Sequence, residues 1–284
     1  MHSRRGLFWQ SLALTLLLLL PMIATVLFLS AQRQQQQALR RAAAAEGGVS
    51  IATGAQNTHR LLLAVQGEQP AFVLLRLDGP AQSVTFCALP GQMLVAAPAG
   101  TTTLADCYLT AGPARAAQLL QGTAGPAPDA YFAATADTYA ALLGGDTAVR
   151  FDTAAVFDKA ARQALGCGKD SVLELTAATA GEFLTRAAGQ SRDGGAAARS
   201  AVWAAFWRQN PSLLPGLPAA ARENSARTLT NLRAQDYTKL EETLRYLAVQ
   251  PELRVDYLTL SGVAAEDGWQ ADAAALARVQ ELLG

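Results

Sequence analysis

Beyond residue 60 the chain sets short, wholly apolar runs beside longer stretches where apolar residues recur every three or four positions. Leu61 to Val65 is continuous and brief, the pattern of a strand buried on both faces. Ala71 to Leu77 and Ser83 to Leu89 repeat it, and Asp78-Gly79-Pro80-Ala81 between them predicts a hairpin turn. Gly112-Pro113 is expected to open a helix running through Leu120. Ala130 to Ala134 reads as a strand, followed by a helix from Asp137 to Leu143 that Gly144-Gly145 ends. The second half is expected to be mainly helical, over Ala177 to Ala187, Ala196 to Arg208, Pro218 to Leu232 and Asp236 to Val249. Val255 to Leu260 is β-prone, and Ala271 to Leu283 closes as an amphipathic helix. Strands alternating with helices predict a layered α/β domain without an internal boundary.

The amino terminus obeys another rule. Residues 7–31 hold no charge, which is long enough to cross a bilayer. Arg4 and Arg5 precede them and favour residues 1–6 on the cytoplasmic side. A retained transmembrane anchor is the preferred reading over a cleaved signal peptide, whose apolar core is shorter. Residues 32–58, with four consecutive glutamines, read as a stalk and linker, and residues 59–284 as one extracytoplasmic domain. The chain is thus expected in a bacterial cell membrane, in contact with membrane lipid.

Charge then excludes one class of partner. Lys and Arg total 23 and Asp and Glu total 23, so no broad positive field exists for nucleic acid, and no helix-turn-helix is visible. The two histidines, His2 and His59, and the three cysteines form no zinc motif.

The order of segments resembles the LytR–CpsA–Psr family of glycopolymer transferases. In that family a Leu-Leu-Leu-Gly-Val-Asp strand precedes a strand led by Ser-Asp-Thr, then a strand ending Ile-Pro-Arg-Asp. Leu61 to Gln66, Phe72 to Asp78 and Ser83 to Pro90 follow that order. Thr103 to Tyr108 with Ala111-Gly112-Pro113 is similar to Lys-Ile-Asn-Ala-Ala-Tyr and its Gly-Gly-Pro. Asp193 to Arg199 resembles Asp-x-Gly-Arg-x-x-Arg, after a helix ending at Arg186. The resemblance covers most of residues 60–284 and rests on collinear order.

It implies an α/β/α sandwich with a central mixed sheet, and transfer of a polyprenyl-pyrophosphate-linked glycopolymer to peptidoglycan. That chemistry needs acidic residues on Mg²⁺ and arginines on pyrophosphate. Here the first Asp is Gln66, the Ser-Asp pair falls on Gln69-Pro70, and the Arg-Asp pair is Gly91-Gln92. The Lys and Asn fall on Thr103 and Ala105, and the first late arginine is Ala196. Neutral side chains cannot hold Mg²⁺ as carboxylates do. The expectation is therefore a pseudoenzyme that keeps polyprenyl-linked glycan binding, with no confident catalytic residue or cofactor. The alternatives are an active transferase with relocated Mg²⁺ ligands, or a scaffold for cell-wall assembly proteins.

Under the resemblance, Arg186, Arg199 and Arg76 become candidate pyrophosphate ligands; otherwise they are ordinary solvated or paired residues. Glu68 could replace a lost acid, and Asp193 either acts as an acid or caps the next helix. Trp203, Phe206 and Trp207 either pack the core or wall a lipid groove. Cys87 and Cys107 flank the would-be active loop, as a disulfide or as two thiols.

Overall fold

The computed structural model describes residues 54–283 apart from 99, 124, 126 and 168–170. The expected transmembrane segment 7–31 and most of the expected stalk lie outside the described residues. Among the described residues no helix is long and apolar enough to cross a membrane.

Three strands come first: β1 (Thr58–Gln66), β2 (Ala71–Asp78) and β3 (Ser83–Leu89). A hairpin of β4 (Leu94–Ala97) and β5 (Gly100–Thr103) leads into helix α1 (Leu104–Gln121). Next come β6 (Ala130–Thr135), α2 (Ala136–Leu143), β7 (Ala148–Asp152), α3 (Lys159–Ala164) and β8 (Val172–Thr176). The helices α4 (Ala177–Ala188), α5 (Ala196–Gln209) and α6 (Leu217–Glu223) follow, then β9 (Thr228–Thr230) and α7 (Ala234–Ala248). The described chain ends with β10 (Arg254–Leu258), β11 (Gly262–Ala265), β12 (Gly268–Ala271) and α8 (Ala273–Leu283).

Six strands form one mixed sheet in the order β10-β3-β2-β1-β6-β9. β1 is antiparallel to β2 and parallel to β6, while β3 is antiparallel to β2 and parallel to β10. The central strands are apolar on both faces because helices cover both. Leu61 and Leu63 of β1 join a core completed by Tyr139, Phe183, Val202, Ala221 and Leu244 from α2, α4, α5, α6 and α7. Leu62 and Ala64 face the other way, onto Leu104, Tyr108 and Leu120 of α1 and Val279 of α8. The domain is the expected three-layered sandwich around a mixed sheet.

Several expectations are corrected. Pro218 to Leu232 is not one helix: α6 stops at Glu223, and β9 within that range extends the sheet by pairing with β6. Only three residues long, β9 carries too little alternation to be read as a strand. Gly112-Pro113 opens the second of two helical segments that make up α1, as expected. A first segment, not expected, starts eight residues before Gly112, at Leu104, after Thr103 accepts the Asp106 N–H at 3.0 Å. Gly112 separates the two with φ 79° and ψ 179°, a conformation that needs glycine. The β7–β8 ribbon and the two small hairpins were not anticipated, since short half-exposed strands show no long apolar run.

Gly54 to Asn57, at the end of the expected linker, form a turn on the domain, with Asn57 N–H donating to Gly54 O at 3.3 Å. A side chain on Gly79 would come within 2.5 Å of Gly54 O, so the turn after β2 must stay bare for this contact.

Candidate functional site

The carboxyl ends of β1, β3 and β6 and the start of β2 share one edge of the sheet. Gln66 ends β1 and donates from Nε2 to Ala133 O of β6 at 3.2 Å. Gly91 follows β3 in a close-packed loop. A Cβ placed there would lie 3.1 Å from Pro70 O and 3.6 Å from the Ala105 methyl. Ala105 N–H donates to Gly91 O at 2.8 Å, which fixes the first turn of α1 against this loop. Tyr108, one turn further along α1, reaches Gln66, and its ring stands edge-on to Phe72 at 5.4 Å. Burial raises the Tyr108 phenol above its ordinary range, with the Gln66 contact opposing.

The positions singled out by their departures from the motifs thus converge in space. The side chains they offer are three amides, a hydroxyl, a proline and small neutral groups. Thr103 Oγ1 is spent on α1, donating to Asp106 Oδ2 at 2.7 Å. Glu68 is exposed in the turn between β1 and β2. Among the described residues no group of three or more His, Cys, Asp or Glu could hold a metal. The donor set does not fit Mg²⁺, which takes anionic oxygens.

Helix α5 crosses the sheet with its amino terminus at this edge. Buried Ser200 Oγ accepts the Ala88 N–H of β3 at 2.6 Å. One turn and more beyond, Trp207 packs edge-on against Phe86 at 5.3 Å, and Arg208 donates to Val255 O of β10. Arg199, beside Ser200, is 8% exposed and makes no side-chain hydrogen bond or ion pair among the described residues. Burial pushes its guanidinium down to about 10, with nearby Asp193 opposing.

Asp193 caps α5: its carboxylate accepts Gly195 N–H at 3.1 Å and Ala197 N–H at 2.7 Å. Arg186 is exposed near the end of α4, its Nε 3.9 Å from Glu182 in an i,i+4 pair that solvent screens. Arg76 sits elsewhere. It pairs with Asp78 at 2.7 Å near the far end of β2, roughly 17 Å along the strand from Ala71. The structure thus brings Arg199 toward the converging loops and leaves Arg76 away from them.

An apolar cavity of about 100 Å³ lies between the sheet and α2, α5, α6 and α7. Trp203 and Trp207 line it, and Phe206 is buried but does not. Tyr139, unmarked in the sequence, lines it too, while its hydroxyl donates to Phe132 O at 2.9 Å. Ser200 and Tyr139 were missed because a lone Ser or Tyr in an alanine-rich helix carries no signal. Cys87, Cys107 and Cys167 are free and buried. Burial alone pushes the Cys87 thiol up to about 12, which keeps it unreactive.

No family model matches the chain, and no curated protein matches it. Solved structures do. TagT of Bacillus subtilis superposes with a TM-score of 0.55 at 12% identity, covering 81% of this chain and 90% of that one. TagT bound to LI-WTA gives 0.60 at 13% identity, with 81% and 90% covered. The fold is that of the LytR–CpsA–Psr proteins. A transcriptional regulator from Enterococcus faecalis shares it, with a TM-score of 0.60 at 14% identity and 81% and 88% covered. Identities this low establish the LytR–CpsA–Psr fold alone.

Proposed function

We propose that this chain is a cell-envelope protein that binds polyprenyl-phosphate-linked glycan while its phosphotransferase chemistry is lost or strongly reduced. One observation carries the reading. The loops that would hold Mg²⁺ meet at one edge of the sheet and bear neutral side chains, while Arg199 is held nearby at 8% exposure with Asp193 as its charged neighbour. Burial disfavours the guanidinium's charge, and a phosphate would offset that cost. The TagT structure bound to LI-WTA supports a glycopolymer as the cargo. In this reading residues 7–31 anchor the chain and the domain faces outward, with Arg186 near the head group and Trp203 and Trp207 along the tail.

The cavity volume favours a second reading, a non-catalytic scaffold for wall-assembly proteins. A cavity of about 150 Å³ holds one benzene, so about 100 Å³ holds only a few carbons. A polyprenyl tail requires α6 and α7 to part from the sheet.

One experiment decides between them. Full-length protein in lipid nanodiscs is titrated with undecaprenyl phosphate, with Mg²⁺ or with EDTA, and Arg199→Gln is measured alongside. Binding that is indifferent to EDTA and at least ten-fold weaker in Arg199→Gln supports the first reading. No binding leaves the scaffold, and binding that requires Mg²⁺ and is lost in EDTA would overturn both.

A further inference from the structure

Arg199 is the buried cation of the helix that starts at the sheet edge. Side chains of an α-helix lean toward its amino terminus. The acid that acts on Arg199 is Asp193, which sits at that terminus and accepts the N–H groups of Gly195 and Ala197. The guanidinium is thus directed at the end of α5 that meets the converging loops.

Little positive charge accompanies it there. The β1–β2 turn carries Glu68, the first turn of α1 Asp106 and the first turn of α2 Asp137, all exposed. The loop after β3 is uncharged and rests on the β11–β12 hairpin. Trp269 N–H donates to Gln92 O at 2.8 Å, and the hairpin tip holds exposed Glu266 and Asp267. Against these acids stand exposed Arg192, before Asp193, and exposed Arg227, before β9. Acids outnumber bases at this edge. Mg²⁺ would reverse the balance, but among the described residues no group of three or more His, Cys, Asp or Glu could hold it.

A phosphate monoester carries about −1.5 to −2 charge at neutral pH. One guanidinium can meet two of its oxygens with parallel hydrogen bonds. A second phosphoryl group brings further negative charge with no second buried cation to receive it. It would face the edge carboxylates beside partly buried groups, where repulsion exceeds that in bulk water. We infer that, given the polyprenyl binding proposed above on which this rests, the edge selects a carrier lipid bearing one phosphoryl group and disfavours the pyrophosphate.

Full-length protein in zwitterionic nanodiscs is titrated with undecaprenyl phosphate and with undecaprenyl pyrophosphate, in EDTA at neutral pH and low ionic strength. The monophosphate binds at least ten-fold tighter, and the gap narrows as salt is raised. Glu68→Gln combined with Asp137→Asn, both exposed positions, strengthens pyrophosphate binding at least three-fold and moves the monophosphate less. Pyrophosphate binding as tight as the monophosphate, or tighter, overturns the selectivity; if both lipids still weaken in Arg199→Gln, the polyprenyl reading survives. A preference unmoved by salt and by the double variant overturns its electrostatic origin. Binding of neither lipid overturns the polyprenyl reading and the selectivity with it.

Discussion

Arg199→Met should make the protein more stable while removing its anion site. Arg199 is 8% exposed, and burial holds its guanidinium at about 10, well below its ordinary range. A pKa displaced that far downward corresponds to a native-state penalty on the charged form of about 3 kcal/mol. The sign follows from the unfolded chain, which holds the proton more tightly than the fold does. The penalty is therefore complete at every pH below about 10 and fades only above it. Met keeps most of the buried stem and sheds the charge. Asp193 keeps its cap on α5, because Gly195 and Ala197 donate from the backbone. Allowing for lost packing and the lost attraction to Asp193, a net gain of about 1–3 kcal/mol is expected. In a domain of this size each kcal/mol moves the thermal midpoint by about 2–4 °C. The assay is thermal and denaturant unfolding of the full-length protein, paired with undecaprenyl phosphate titration. A Met variant less stable than the parent by more than 1 kcal/mol would refute the reasoning, since it would mean that the guanidinium is well satisfied.

Two further outcomes follow from the same packing. Ser200→Ala should cost about 1–3 kcal/mol, because it strands the buried Ala88 N–H at the end of β3, and Ser200→Thr should recover part of this; equal midpoints for Ala and parent would contradict the bond. His59 Nε2 bonds Thr243 Oγ1 at 2.9 Å, and the hydroxyl proton already goes to Lys239 O, so the imidazole is the donor. Burial is the largest influence on this imidazole and lowers its pKa below 6.5; Asp129 and Asp236 oppose and Lys239 assists. Because the unfolded chain takes the proton first, stability should fall as pH drops from about 6.5 to the lower native value, then level off with respect to this group. Denaturation midpoints across that window check it, and His59→Gln should flatten the slope.

The central strands were legible because being buried on both faces leaves a continuous apolar run, and β1, β2 and β3 each carry one. What escaped was structure held by other means. β9 exists through its pairing with Phe132 to Ala134, not through its own three residues. The helix start at Gly112-Pro113 was legible because proline suits the first helical position, while the segment from Leu104 that precedes it carried no such signal. At the site, motif order pointed to loops that the fold brings to one edge of the sheet, and the helix that carries Arg199 starts at that edge. Arg76 lies toward the other end of β2, with a partner two residues away in Asp78. That the buried Trp207 indole N–H has no hydrogen-bond partner could not be read at all, because satisfaction is a property of neighbours distant in sequence.

These observations show how such a fold can stand without the motif carboxylates. The sheet is stabilised by Leu62, Phe72 and Phe86, each fully buried, and of the motif positions at the sheet edge Ala105 joins that core while Gln66 and Gly91 lie outside it. Neutral residues at Gln66, Pro70 and Gln92, where the family pattern has acids, avoid mutual repulsion among carboxylates and leave the packing intact. Selection on stability alone would then favour neutral edges, and would equally favour a neutral residue in place of Arg199. Arg199 stands buried in a helix otherwise rich in alanine and aromatic residues. Under the proposed reading, a charge held against its own stability cost where the loops converge is one that a bound anion would use.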